Sequence, residues 1–499
     1  MKKIIIIGGG IAGLSAGVHA QKLGFSSEIY EQHTITGGQC TGWNRQGYHI
    51  DNCIHWLTGT SKDTMMYELW KDTGALGEDV KTVRPEAFSV YEFGGETITF
   101  YNDPDKLKAE LLRIAPEDQK QIEELLHDVS LAVSMDVPAN KPIDMYALPE
   151  LMKLGMKMKD AGTINKKYGK MTCKEYAQKF SNPLLQLGIS YLVPEYYCAS
   201  ALVFTLATVL SGNGDIPVGG SLAMAQRMQK KYESLGGKVI TGAMVTEIMV
   251  EKNLAVGIKL EDGTEIAADY VIAACDVKYT LDKLLNNQFH DKGLEEQFEK
   301  IDHESGSSIL PTSAHVAFAV DMDMKDYPVS LVFETEKYTV GVTEFNALGI
   351  RNYSYEPSFA PEGKTVLNTF ISQSDQDYFW WAKLYEDKMT YEIYKEEMAK
   401  KIQAIVEKRF PELVGKLTLI DVYTPITYHR FCNSYHGAWM AFPMEPGDSA
   451  MMHNGKIKGL KNCFLAGMWL QSPGGLPVAA VTGKYAVQRI CKCEKQPVM

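Results

Sequence analysis

No run of apolar residues in this chain of 499 residues reaches the roughly 18 that a membrane-spanning helix needs. The nearest, CASALVFTLATVL at 198–210, is bounded by Glu195 and Asn213 and reads as a buried helix lining a pocket. A basic excess is missing too. The net charge of −11 leaves no electrostatic source for tracking a polyanion, which excludes a nucleic-acid partner. The cysteines are nine, odd in number and scattered, which excludes a disulfide framework and fits reduced thiols in a cytoplasmic protein. Cys491 and Cys493 make a lone C-x-C without a second pair or nearby histidines, so no metal site is expected. Internal repeats and low-complexity tracts are absent. So are G-x-S-x-G and H-E-x-x-H, and no compact acid–base motif announces the chemistry.

What is present starts at KKIIIIGGGIAG, residues 2–13. Two lysines before an apolar run can open a secretory signal peptide, but the run Ile4–Ile7 stops at three glycines, too soon for the apolar region of a signal. Consecutive isoleucines suit a parallel strand covered on both faces. Gly8, Gly10 and Gly13 complete G-x-G-x-x-G, a helix continues through LSAGVHAQKLG (14–24), and a second strand, SSEIYE, ends on Glu31. Each part has a physical task. Gly8 permits the tight turn, Gly10 lets a pyrophosphate approach the backbone, and Gly13 lets helix pack on strand. The helix N-terminus, around Ala12, offers unpaired N–H groups to phosphate, and Glu31, 23 residues after Gly8, is placed to accept from a ribose hydroxyl. The pattern predicts a dinucleotide-binding unit. No second G-x-G-x-x-G follows: SGNGDIPVGG (211–220) lacks the preceding strand and the spacing, so a separate nicotinamide-dinucleotide domain is not expected. Electrons then pass through the substrate pocket or a protein partner.

Two further blocks accompany the fingerprint. PVGGSLAMAQ… to …DYVIAAC (217–275) reads as a helix followed by strands with a hairpin at Asp262-Gly263, and LKNCFLAGMWLQSPGGLPVAAVTGKYAVQRI (460–490) as a short strand, a glycine-proline turn and a helix from about Val478. Together with TGGQC (36–40), these blocks resemble the phytoene desaturase-like branch of the FAD-dependent oxidoreductases, which includes carotenoid desaturases, carotenoid cis–trans isomerases and retinol saturases. The resemblance implies FAD as cofactor, with Gly8, Gly10, Ala12, Gly13 and Glu31 around its ADP half and Gly38 and Gln39 beside the diphosphate. It further implies a backbone contact to adenine at Val245, and Gly467, Met468, Leu476, Pro477 and Val478 near the flavin end. Gln39 stands where many relatives have arginine, and Met468 where an acid is common. IDNCIHWLTG (50–59) looks most like the retinol saturase pattern, with Cys53 replacing its glycine.

The expected fold is α/β. A discontinuous Rossmann-type FAD-binding domain covers 1–85, 210–285 and 440–499, and an α+β substrate-binding domain with a mixed sheet covers 86–209 and 286–439. SAHVAFAVDM (313–322) and KTVLNTFISQ (364–373) read as strands of that sheet, and 387–411 as a long amphipathic helix stopped by Pro411. The richness in tyrosine and methionine suits a long, adaptable apolar pocket as well as an ordinary core. The run 151–170, six lysines against Asp160, is either a solvated face or a surface resting on an anionic membrane. Flavin chemistry on a C–C bond needs a proton donor or acceptor opposite the hydride-transferring atom. His55 is the first candidate, with Tyr428 and His436 from TPITYHRFCNSYHGAW (424–439) beside it. The resemblance implies an oxidoreductase that saturates, desaturates or isomerises C=C bonds of an extended apolar, polyene-, retinoid- or lipid-like molecule. A flavin amine oxidase and a non-redox, FAD-assisted hydratase or isomerase are the alternatives.

Overall fold

The computed structural model describes residues 1–302, 308–447 and 451–498. Its first strand, Lys3–Ile7, is the centre of a five-stranded parallel sheet with the order Cys463–Leu465, Tyr270–Ala273, Lys3–Ile7, Ser26–Glu31, Lys238–Thr241. Alternate isoleucines serve opposite faces. Ile4 and Ile6, with Ile29 and Ile272, pack under the helices Ile11–Lys22, Gly220–Ser234 and Gly475–Cys493. Ile5 and Ile7, with Tyr30 and Val271, meet a small antiparallel sheet of Val245–Glu251, Leu254–Leu260 and Glu265–Ala267, whose last turn carries Asp262-Gly263. Burial on both faces is why this strand has no polar residue after Lys3. The glycines set the spacing between layers. A Cβ on Gly13 would stand 1.9 Å from the Gly8 carbonyl oxygen, and one on Gly483 would stand 2.2 Å from that of Ala12, so first and last helices cross at backbone contact.

The second sheet has seven strands in the order Leu417–Tyr423, Pro311–Val320, Thr365–Ser374, Thr343–Asn352, Ser330–Val340, Ala87–Phe93, Glu96–Tyr101. Only the pairing of Ser330–Val340 with Ala87–Phe93 is parallel, so the sheet is mixed, as expected. The helix Lys388–Arg409, ending before Pro411, covers one face through Met398, Ile402 and Val406 around the buried Trp381. A layer of helices that includes Pro183–Leu192 and Ala199–Leu210 packs on the Ala87–Tyr101 hairpin. The apolar run at 198–210 is therefore a helix, and its Ala201, Phe204, Thr205 and Thr208 line the main cavity. The closing helix starts at Gly475 rather than Val478, because Gly474 and Gly475, at φ +91° and +83°, turn the chain one step earlier. Among the described residues no helix is long and apolar enough to cross a membrane.

Candidate active site

A cavity of about 1220 Å³ runs between the two sheets. At one end its wall is made of Gly8, Gly10, Ala12, Glu31, Gly38, Gln39 and Val245, joined by Gly467, Met468, Leu476, Pro477 and Val478. Residues from the first 40, the middle and the last 35 of the chain thus meet on one surface. Gly13 stays behind the wall and serves the helix–strand contact. The cradle itself is open: a Cβ on Gly10 would find only the Gly37 carbonyl oxygen and Gly38 Cα, each 3.9 Å away. The helix Ile11–Lys22 has no side-chain cap, so its first N–H groups face the cavity. Glu31 is buried; Oε2 accepts from the Gly9 amide at 2.6 Å and Oε1 from the His33 amide at 2.8 Å. Burial raises its pKa, and those two amides work against the rise. Each oxygen keeps a second lone pair for a hydroxyl. Uncapped amides, a glycine gap of phosphate width and a buried acceptor together fit an adenine dinucleotide.

Gln39 has a structural task. Its amide nitrogen donates to Ser434 Oγ at 3.1 Å and to the Ala438 carbonyl at 2.8 Å. A neutral amide therefore ties the 424–439 segment to the cradle. Nearby, Asp51 accepts from the Ser221 amide at 2.7 Å and the Ser221 hydroxyl at 3.0 Å, and burial pushes its carboxyl up to about 7.

The other end of the cavity is apolar, with Phe88, Tyr91, Leu192, Tyr196, Phe204 and Phe370 on its wall, and holds a small polar cluster. His55 reaches this wall, and among the described residues its ring makes no hydrogen bond; Phe370 meets it edge-on at 6.1 Å. Burial, then Arg351 and His315, hold its pKa well below the ordinary imidazole value. That favours the neutral imidazole at neutral pH. Tyr428 lies on the same wall and donates to Asn52 Oδ1 at 2.9 Å, with His315 Nε2 at 3.3 Å from its hydroxyl. His436 does not join them. It is absent from the cavity wall and stacks between Tyr435 (3.8 Å) and Tyr378 (5.2 Å), with Asp375 behind it at 3.9 Å.

Two members of the cluster were not picked out from the sequence. His315, on the strand Pro311–Val320, lies flat on Tyr423 at 4.4 Å, bonds through Nδ1 to the Thr369 carbonyl at 2.8 Å, and is pushed down to about 3 by burial. Arg351, on Thr343–Asn352, donates to the His55 carbonyl at 2.8 Å. The signal for both was a basic residue inside an apolar strand. Nε of Arg351 and Nε1 of Trp439 are buried on this wall without a partner among the described residues, which suits a ligand with an acceptor edge.

Residues 11–491 match the model of the family described as flavin containing amine oxidoreductase. The chain belongs to that family. A flavin on a dinucleotide cradle is FAD, and FAD is the cofactor of this flavoenzyme. Among curated proteins, the chain is similar to the neurosporene-forming phytoene desaturase of Rhodobacter capsulatus, with 26% identity over 98% of this chain and 94% of that one. It is also similar to the chloroplastic prolycopene isomerase of Arabidopsis thaliana, with 24% identity over 88% and 74%. Among solved structures, an oxidoreductase from Methanosarcina mazei shares the fold at a TM-score of 0.58, with 16% identity over 96% of this chain and 98% of that one.

Proposed function

We propose that this flavoenzyme acts on the C=C system of an extended polyene. The observation that carries the reading is a cavity continuous from the dinucleotide cradle to an aromatic chamber in which His55 and His315 are held neutral and Arg351 donates to the His55 carbonyl. The similarity to a phytoene desaturase and a prolycopene isomerase over most of the chain supports it. FAD, when bound, supplies a two-electron acceptor or donor. The protein's residues supply position and a proton path. Gly8, Gly10, Ala12 and Glu31 hold the ADP half, Gly38 and Gln39 the diphosphate side, Val245 the adenine, and the 467–478 turn the flavin end. Gly13 keeps helix and strand close enough for the rest. His55, neutral and unpartnered, offers one ring nitrogen to a proton leaving or joining the chain of double bonds, and Tyr428 with Asn52 fixes the wall beside it. The cofactor unit is read as 1–85, 210–285 and 440–499, with the substrate unit between.

One helix offers a surface suited to lipid. Helix Leu148–Lys157 buries none of its residues and exposes Leu148, Met152 and Met156 at 72%, 65% and 72%, spaced by one helical turn and flanked by lysines. We read it as a helix resting on an anionic membrane, from which an apolar substrate enters. The test adds phytoene or a cis-polyene in phosphatidylglycerol vesicles to the anaerobic holoenzyme. Loss of the flavin absorbance, or a shifted polyene spectrum, is expected. Bleaching by amines with no response to any polyene overturns the reading.

A further inference from the structure

The hairpin Gly42–Arg45/Tyr48–Asp51 carries its register past its own ends. Gly42 faces Asp51 and Trp43 faces Ile50, and just past the ends of the two strands lie Cys40 and Cys53, whose side chains interact directly. The Asn52 amide donates to the Thr41 carbonyl at 3.1 Å, which keeps the two strands paired at that step. Asn52 also donates through its side chain to the Gln39 carbonyl at 3.2 Å. Ser221 pins both ends of the pair: the Cys40 thiol donates to its carbonyl at 3.5 Å, and its hydroxyl accepts from the amide of Ile54, the neighbour of Cys53, at 2.9 Å. Both cysteines line the same cavity as Gly38, Gln39 and His55. Both are free thiols in the structure, Cys40 buried and Cys53 partly accessible.

We infer that Cys40 and Cys53 form a reversible dithiol–disulfide couple that exchanges an electron pair with FAD. In the oxidising direction two S–H bonds break and one S–S bond forms. The electron pair and one proton pass to oxidised FAD, and the second proton goes to solvent. The reverse uses the same atoms and leaves FAD oxidised and both thiols restored. A couple of this kind gives the flavoenzyme a store of two further electrons on the cavity wall, without a second nucleotide domain. Cys53, the more accessible, meets the cavity first, and Cys40 resolves the bridge. The Cys53 side chain and then burial push the Cys40 thiol up from its ordinary range, so Cys40 stays protonated at neutral pH. A transient, flavin-linked bridge is compatible with a reducing compartment, where standing disulfides are rare. Cys432 also lines the cavity and is the competing partner for Cys53.

The couple is tested on the FAD-loaded full chain by anaerobic dithionite titration followed by the flavin spectrum, after mild oxidation with oxidised glutathione and its removal. Wild type is expected to take up two electron pairs per FAD, and Cys40→Ser and Cys53→Ser one pair each, while Cys432→Ser still takes two. Peptide mapping under alkylation should find Cys40 and Cys53 joined, lighter by two hydrogens, before titration and both alkylated after it. One electron pair per FAD in wild type, with both thiols alkylated throughout, overturns the inference. So does a bridge mapped to Cys53 and Cys432. Should either serine variant fold poorly, the wild-type electron count and peptide map decide the matter alone.

Discussion

The two ends of the cavity are built on opposite plans. At the cofactor end the phosphate-facing part of the cradle belongs to the backbone of near-consecutive residues: the turn Gly8–Gly13 and the amides of the helix that follows, with Glu31 one strand further on. At the substrate end they belong to side chains gathered from four separate elements, namely His55 after the hairpin, His315 and Arg351 on two strands, and Tyr428 on a short helix. A backbone site tolerates drift in neighbouring side chains but not a single misplaced Cβ. A side-chain site tolerates most of its glycines but is sensitive to each member it loses.

Substitutions can break the contrast or sharpen it. The largest effect belongs to Gly10→Val. No protein atom lies within 3.9 Å of its new Cβ, so the fold should persist while the added methyls occupy the pyrophosphate approach. FAD affinity should drop at least about 1,000-fold, roughly 4 kcal/mol, in a fluorescence titration of the apoprotein, with the melting curve nearly unchanged. Next comes His55→Phe, which should keep its yellow colour and slow single-turnover flavin reduction or reoxidation by polyene about 100-fold. An unchanged rate in folded protein would show that the proton path lies elsewhere. Gly13→Ala is the opposite of Gly10→Val. Its Cβ meets the Gly8 carbonyl at 1.9 Å, so it should destabilise the fold itself by ~1–3 kcal/mol in urea unfolding, with FAD lost only as a consequence.

Smaller still is Glu31→Gln. One amide oxygen cannot serve the Gly9 and His33 amides and a ribose hydroxyl as two carboxylate oxygens do, and FAD should bind about 10-fold more weakly, ~1.4 kcal/mol, by the same titration. The smallest expected change is in pH dependence. Because burial and Arg351 lower the pKa of His55, it stays neutral from pH 6.5 upward, and the single-turnover rate should show no break near 6.5. A break there in wild type that vanishes in His55→Phe would mean that the cluster admits a charge on His55.

By itself the sequence determined the phosphate-facing half of the cofactor end. Isoleucines 4–7, the glycine spacing and Glu31 are local in the chain, and a strand–turn–helix assembles them wherever the rest of the chain goes. The mixed sheet, the buried helix at 199–210 and the long helix at 388–409 were legible for the same reason, since each rests on short-range periodicity. Only the tertiary structure decided the other end. His436 and Tyr428 are eight residues apart in the sequence, yet the left-handed turn at Asn433 sends one into an aromatic stack and leaves the other on the wall. His315 and Arg351 join the site through strand order in the second sheet, a long-range property that no spacing along the chain encodes. The protonation state of His55 follows from how deeply its neighbours bury it, and burial is fixed by packing rather than by residue type.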